Sequence, residues 1–493
     1  MSGYILAIDQ GTTSSRAVLV DASSLAFVEM YQVEHAQYYP QPGWVEHDLN
    51  EIWTNTLKCI KIVLEKSKIL PAKILSIGIT NQRETTCAFN RQGRPLARAI
   101  VWQDKRTAKF CQDNQPSAAM ISKKTGLPLD PYFSATKMNY LLNHNSEVKE
   151  AASKDNLLFS TMDTFLLFKL TQGISFKTES TNASRTLLYS LAKQDWDDEL
   201  LSFFNISKKC LPQVADTFAN FGVTKNCDPL PDGIPIHCLI GDQQAALLGQ
   251  HCTQPGMSKC TYGTGAFLLL NTGEKILQSQ HGLLSTVAYR HQGKSFFALE
   301  GASFIAGAGV QWFRDQLKAI KSSQDIEMEA LKVSDLLKIK HLFFYPYFSG
   351  LGSPYWRSDA LATITGMSRD SGISELSYAL LDGIAQSIAD LVDAVKSDFL
   401  QPITAFHVDG GACKNNLLMQ LQANYLSIPV VRPQQIETTV LGAALGASLY
   451  LKNINPTSLS KDVAVNKIFK PESNDFFIDR RKTWKSNLKK IFL

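Results

Sequence analysis

One pattern occurs twice in this chain of 493 residues, and it limits the fold more than any other feature. Tyr4–Ile8 and Arg16–Val20 read as short apolar strands joined by Asp9-Gln10-Gly11-Thr12-Thr13-Ser14-Ser15. In the second half, Ser258–Thr261 and Ala266–Leu270 read the same way around Tyr262-Gly263-Thr264-Gly265, closed by Asn271-Thr272-Gly273. A hairpin built twice around a small, hydroxyl-bearing turn predicts two related halves. Between and after the hairpins strands alternate with helices, which places the chain in the α/β class. No Pro/Gly/Ser-rich linker interrupts it, so two α/β domains of about equal size, 1–249 and 250–493, are expected to pack closely around a cleft.

Several further elements can be placed. Trp53, Leu57, Ile60 and Leu64 repeat at helical spacing and predict a helix near Glu51–Lys66, with Asp48 or Asn50 as its N-cap. Ile74–Ile79 reads as a buried strand running into Asn81-Gln82-Arg83-Glu84, and Ile236–Ile240 as another running into Gly241-Asp242-Gln243-Gln244. Both polar clusters therefore fall at carboxyl ends of strands, where α/β folds place ligands. Ala405–Val408 reads as a strand followed by Asp409-Gly410-Gly411 and a helix with Asn415 and Asn416 in its first turn.

Charge and cysteine usage exclude several function classes. Fifty Lys+Arg against 45 Asp+Glu leave a net charge of +5, a weak bias without the basic patches of a nucleic-acid binder. The densest cluster, Arg480-Arg481-Lys482 with Lys485, Lys489 and Lys490, reads as the solvated face of a terminal helix. No apolar stretch approaches the length of a membrane span. None of the nine cysteines stands in a C-x-x-C spacing, which argues against a zinc or thioredoxin-like motif and for a reducing, cytoplasmic setting.

The turns carry the chemistry. Gly11 lets successive backbone N–H groups face one point, a nest suited to phosphate oxygens. Thr12, Thr13 and Ser14 add hydroxyls, Arg16 a charge that can offset phosphate, and Asp9 a carboxylate suited to Mg²⁺ through water. Taken alone, a tight hairpin with no ligand explains these residues equally well. The second turn tips the balance, because two such hairpins across a cleft can clamp a polyphosphate from both sides. No Walker A sequence, G-x-G-x-x-G or H-R-D loop occurs, which argues against P-loop and protein-kinase architectures. Asp242, at a strand end near these turns, suits a general base, and a helix N-cap explains it as well.

The ordered series of segments 9–16, 78–85, 99–103, 130–134, 181–186, 241–247 and 262–265 resembles the FGGY carbohydrate kinase family, and within it the members that act on glycerol. The likeness extends to about residue 450. It implies two actin-like, ribonuclease-H-like ATPase domains flanking a deep catalytic cleft. The implied reaction is ATP- and Mg²⁺-dependent phosphorylation of glycerol to sn-glycerol 3-phosphate, serving glycerol catabolism. The first domain would hold glycerol and one phosphate hairpin, the second the other hairpin and the adenosine.

Carried over position by position, the resemblance makes Asp242 the general base and Arg83, Glu84, Tyr132, Asp242 and Gln243 the glycerol ligands. Trp102 and Phe267 would cover the carbons. Thr12, Thr13, Ser14, Arg16, Thr264, Gly307, Gln311, Gly411 and Asn415 would hold the nucleotide, and Asp9 would place Mg²⁺. A cytoplasmic homo-oligomer, dimer or tetramer, with no nucleic-acid partner and no membrane insertion, completes the expectation. The rival readings are another FGGY sugar kinase, such as a pentulose kinase, and an actin-like nucleotide switch.

Overall fold

The computed structural model describes residues 3–460, 463–472 and 474–493. In the first half, the strands β1 (Tyr4–Gln10), β2 (Ser14–Asp21), β3 (Phe27–Glu34), β4 (Ile74–Asn81) and β5 (Ile236–Gly241) form one sheet in the order β5-β4-β1-β2-β3. β1 runs antiparallel to β2, β2 antiparallel to β3, and β1 and β5 both parallel to β4. Helix α1 (Leu49–Ser67) covers one face. Asp48 is its N-cap, because its Oδ1 accepts from the otherwise unsatisfied N–H groups of Asn50 (2.8 Å) and Glu51 (3.4 Å).

The second half repeats this topology. Its strands are β6 (Met257–Tyr262), β7 (Ala266–Gly273), β8 (Leu284–His291), β9 (Lys294–Ser303), β10 (Ala405–Asp409), β11 (Val430–Pro433) and β12 (Val465–Phe469), in the order β8-β9-β7-β6-β10-β11-β12. The central five, β9-β7-β6-β10-β11, match β3-β2-β1-β4-β5 in order and direction, with β8 and β12 added at the edges. The two hairpin tips correspond as well: Gln10 pairs with Ser15 around residues 11–14, while Tyr262 pairs with Ala266 around residues 263–265.

The halves are joined by more than chain connectivity. Helix α2 (Asp242–Gly249) follows β5, and α6 (Thr438–Lys452) lies far along the chain, yet both sit in one apolar cluster with Ile5, Ala7, Val18 and Val20 of the first sheet and Leu269 and Ala298 of the second. α2 and α6 cross at backbone distance, and a Cβ on Gly442 would collide with the Ala245 carbonyl. Only glycine permits that approach. The remaining helices used below are α3 (Gly307–Asp315), α4 (Ile373–Asp398), α5 (Asn416–Leu426) and α7 (Asp475–Ile491).

α7 corrects one expectation. Lys482, Lys485, Lys489 and Lys490 are exposed as expected, but the two arginines turn inward: Arg480 is buried, its Nη2 is 2.7 Å from the Asp382 carboxylate on α4, and Arg481 reaches Asp390 and Asp393 at 2.7 Å each. Trp484 is fully buried, stacks on Tyr345 at 4.4 Å between ring centroids, and donates Nε1–H to Asp390. Sequence clustering of like charges concealed that Arg480, Arg481 and Lys485 pair with aspartates of α4. Among the described residues, no helix is long and apolar enough to cross a membrane.

Candidate active site

The carboxyl ends of β4 and β5 point to one place, and the polar clusters that follow them meet there. Arg83 Nε lies 3.3 Å from Asp242 Oδ1, although 159 residues separate the two in sequence, because β4 and β5 are parallel neighbours with Asn81 beside Gly241. Arg83 and Glu84 are buried, while Asp242 keeps a partly open carboxylate. Asp242 is the first residue of α2 rather than its cap, the position before it being Gly241, so the N-cap alternative is not what the structure adopts. Its Oδ1 accepts from the Gln243 N–H at 2.7 Å. Burial raises the Asp242 pKa, and the nearby cations Arg83 and Lys259 only partly oppose this.

Glu84 sits at φ 60°, in the left-handed region that a non-glycine residue enters only when its surroundings impose it. Here the Glu84 carbonyl accepts from Ser134 Oγ at 2.9 Å, and its Oε1 accepts from Arg185 Nε at 2.6 Å. Trp102, Tyr132 and Phe267 form an aromatic corner beside this cluster: the Trp102 ring lies 5.6 Å from Tyr132 and 6.3 Å from Phe267, edge-on to each. Trp102 also donates Nε1–H to Thr12 Oγ1 at 2.9 Å, which ties the corner to the first hairpin.

In that hairpin the Gly11 N–H donates to the Ser14 carbonyl at 3.0 Å, Thr13 is exposed and Ser14 is nearly buried. Asp9 is the penultimate residue of β1, just behind the turn. Burial pushes its carboxyl up to about 6, with Arg16 opposing and Asp242 reinforcing the shift. A buried carboxylate whose charged form is further disfavoured by a second carboxylate suits a divalent cation shared with phosphate oxygens. Among the described residues no group of three His, Cys, Asp or Glu side chains converges as an all-protein metal site, so such a cation would need oxygens from a ligand and water. Arg16 is held 3.9 Å from Asp9 and is engaged by Glu437, the residue preceding α6, and by Gln32. Facing a phosphate would require Arg16 to leave Glu437.

The nucleotide-side candidates of the second half gather around the other turn. The N–H groups of Ala306 and Ala308 donate to the Thr264 carbonyl at 2.8 and 3.0 Å, and the Gly307 N–H donates to Gly263 at 2.9 Å. Gly307 thus opens α3 directly against the hairpin, where an added Cβ would lie 2.7 Å from the Gly263 carbonyl. Gln311 is exposed one turn along the same helix. Gly411 is exposed with open space above its Cα, and its neighbour Ala412 approaches Gly307. Asn415 caps α5, its Oδ1 accepting from the Leu418 N–H at 2.8 Å; a short 3-10 turn, Gly411–Lys414, separates it from β10.

Four buried charged residues, Glu300, Arg185, Lys259 and Asp409, meet here without a role assigned from sequence. Glu300, in β9, takes both Arg83 Nη groups at 2.6 and 2.8 Å and Arg185 Nη2 at 3.2 Å. Lys259, in β6, is fully buried and donates to Gln243 Oε1 and to Thr261 Oγ1. Asp409, at the end of β10, accepts from Gln250 Nε2 at 2.8 Å and from Thr438. The signal was a lone charge inside an apolar strand, as in Phe297-Ala298-Leu299-Glu300-Gly301, which costs too much to be kept without a partner.

Known proteins match this chain along its whole length. The N-terminal and C-terminal domain models of the FGGY family of carbohydrate kinases match residues 4–249 and 258–450. A glycerol kinase of Myxococcus xanthus is 45% identical over 478 residues, 95% of each chain, and one of Rhizobium meliloti 44% identical over 502 aligned positions, 100% of each. The structure of a Plasmodium falciparum glycerol kinase with ADP superposes with a TM-score of 0.90 at 36% identity, covering 99% of this chain and 98% of the other. A gluconate kinase from Lactobacillus acidophilus shares the fold, at TM-score 0.86 and 22% identity. With a duplicated five-strand topology, paired Gly/Thr hairpins and relatives aligned end to end, the chain belongs to the FGGY family of carbohydrate kinases.

Proposed function

We propose that this chain transfers the γ-phosphoryl group of ATP to a terminal hydroxyl of glycerol, giving sn-glycerol 3-phosphate and ADP. The observation that carries the reading is the Asp242–Arg83–Glu84 cluster under the Trp102–Tyr132–Phe267 corner, set between two phosphate-sized hairpins. The curated relatives named as glycerol kinases, at 44–45% identity over nearly the whole chain, support the same substrate. A small polyol offers hydroxyls that each need a donor or an acceptor and a carbon face that needs cover. Arg83 supplies the donor, Glu84 and Asp242 the acceptors, and the aromatic rings the cover. Gln243 adds a donor: an ammonium has no acceptor, so Lys259 can hold only the amide oxygen, which leaves the NH₂ group for substrate. A site of paired polar groups rejects analogues lacking a hydroxyl, because the orphaned partner stays buried.

Asp242 takes the hydroxyl proton as the glycerol oxygen attacks the γ-phosphorus in line, and its burial-raised pKa makes it a better proton acceptor than a solvated carboxylate. Phosphoryl transfer depends on positioning and on balancing charge at the transferred group. Thr12, Thr13 and Ser14 from one side and Thr264 from the other would hold the phosphates, with Arg16 exchanging Glu437 for a phosphate oxygen. Gly307, Gln311, Gly411 and Asn415 would hold the adenosine. Asp9 would hold Mg²⁺ through water, where the ion neutralises phosphate charge. Closure of the halves would exclude water as a competing acceptor. The division into 1–249 and 250–493 is supported by sheet membership, every strand of the first sheet ending by Gly241 and every strand of the second beginning at or after Met257. The cytoplasmic setting and the homo-oligomeric state stay part of this reading, and sedimentation checks the second.

The test is ATP consumption with glycerol, xylulose, ribulose and gluconate offered in turn. Glycerol should be preferred by a wide margin. Preference for a sugar would overturn the substrate, and ATP consumption independent of any acceptor would replace the kinase reading with a nucleotide switch.

A further inference from the structure

A fully buried polar link between the two sheets centres on Glu300. In β9 it is paired with Leu269 on one side and Leu284 on the other, and it is fully buried. A carboxylate in such a place is tolerated only when its charge is matched and its oxygens are bonded. Oε2 accepts from Arg83 Nη1 at 2.6 Å, and Oε1 accepts from Arg83 Nη2 at 2.8 Å and from Arg185 Nη2 at 3.2 Å. Arg185, also fully buried, donates Nε–H to Glu84 Oε1 at 2.6 Å. One acid of the second sheet therefore fixes both members of the Arg83–Glu84 pair of the first, Arg83 by a fork and Glu84 through Arg185.

The donors of Arg83 show what this fork achieves. A guanidinium has five N–H groups in one plane. Two bonds go to Glu300 and one, from Nη1, to Gln244 Oε1 at 3.2 Å, which leaves Nε–H and a single Nη2 hydrogen. Nε faces Asp242 at 3.3 Å. A bidentate pair sets the plane of the guanidinium as well as its position, so the open edge of Arg83 is aimed where Asp242 would meet the hydroxyl. A single-point partner would leave that plane free to turn.

We propose that Glu300 is a positioning residue for the polyol site: it orients Arg83 directly and Glu84 through Arg185, so the site reaches its working geometry only when the second sheet is seated against the first. The proposal rests on the glycerol-phosphorylation reading and adds to it a residue that touches neither substrate. It predicts an effect confined to the acceptor. Glu300→Gln keeps the shape but removes one acceptor and the charge, so glycerol KM should rise about 10²-fold while ATP KM stays within about twofold. Glu300→Asp keeps the charge but shortens the reach, and should show an intermediate rise of about tenfold. Selectivity for glycerol over propane-1,2-diol, which lacks one hydroxyl, should fall in Glu300→Gln because the pair that reads that hydroxyl is out of register.

Steady-state kinetics on the full chain, with circular dichroism and thermal unfolding as the fold check, decide the matter. Wild type without glycerol-dependent ADP formation overturns the kinase reading and the proposal with it. An active wild type beside a folded Glu300→Gln whose glycerol KM is within about twofold of wild type overturns the proposal alone. So does a parallel rise of glycerol and ATP KM, the mark of a merely structural role. If Glu300→Gln does not fold, Glu300→Asp carries the same comparison, and an unchanged glycerol KM there refutes the positioning role.

Discussion

Replacing Asp242 with asparagine separates its chemistry from its structural part unusually well. Asparagine keeps an oxygen to accept the Gln243 N–H, now at 2.7 Å, and Arg83 stays clamped by Glu300 at 2.6 and 2.8 Å, so the ground-state geometry of the site should survive. What disappears is the proton acceptor. Loss of a positioned general base costs about 10²–10⁴ in rate, or roughly 3–5.5 kcal/mol at about 1.36 kcal/mol per tenfold. Asp242→Asn should show that fall in kcat, with ATP KM unchanged within about twofold. Stability should move the other way. Burial raises the Asp242 pKa, so the folded chain holds this proton more firmly than the unfolded one, and stability falls as pH rises through the folded value. The ionised carboxylate is the form that burial disfavours, and the neutral amide relieves that cost. The melting temperature of Asp242→Asn should equal or exceed that of wild type. A coupled assay of ADP release at saturating glycerol and ATP, beside thermal unfolding, measures both effects. Turnover within about tenfold of wild type would refute the base assignment, and a lower melting temperature would refute the electrostatic argument.

Gly307→Ala places a Cβ 2.7 Å from the Gly263 carbonyl, so the second hairpin must shift. ATP affinity by calorimetry should fall about tenfold or more with glycerol affinity unchanged, and unchanged ATP binding would remove that hairpin from the nucleotide site. Arg480→Met leaves the Asp382 carboxylate buried without its cation. The loss should be about 3–5 kcal/mol, read as a lower denaturation midpoint with kcat retained, and an unchanged midpoint would contradict the ion-pair account. Burial pushes the Glu300 carboxyl up, but Arg185 and Arg83 outweigh it and hold the pKa at about 2, below its ordinary 4.5. Its contribution to stability is present above pH 4.5 and lost as pH falls through about 2. The decline in stability over that window should be shallower in Glu300→Gln, and an identical decline would argue that Glu300 is not ionised in the folded chain.

Local pattern was enough to find the two hairpins, the strands that end in Arg83-Glu84 and Asp242-Gln243, and the helix capped by Asp48. Those features depend on residues adjacent in sequence: alternation of apolar side chains, turn residues and capping groups act over a few positions. The repeat of one hairpin in both halves likewise fixed a two-part α/β architecture, and the ordered motifs pointed to its family. The two arginines of the C-terminal basic cluster depart from the expected solvated face for the same reason, while its four lysines keep to it. Along the chain Arg480 and Arg481 look like a charged face, and only α4, some 90 residues away, supplies the aspartates that bury them.

What the sequence determined by itself, then, is which segments carry phosphate-sized turns and polyol-matched side chains. Tertiary structure alone decided how those side chains are aimed. Glu300 and Arg83 lie 217 residues apart, and Lys259 and Gln243 belong to different sheets' elements, so no local pattern links them. Their pairing follows from the seating of the second sheet against the first around α2 and α6, where glycine contacts let backbones meet. Inside that low-dielectric junction an unmatched charge is too costly to keep, so Glu300 and Lys259 find their partners on elements of the first half. The physical requirement to neutralise buried charge, rather than any motif, sets the orientation of Arg83 toward Asp242.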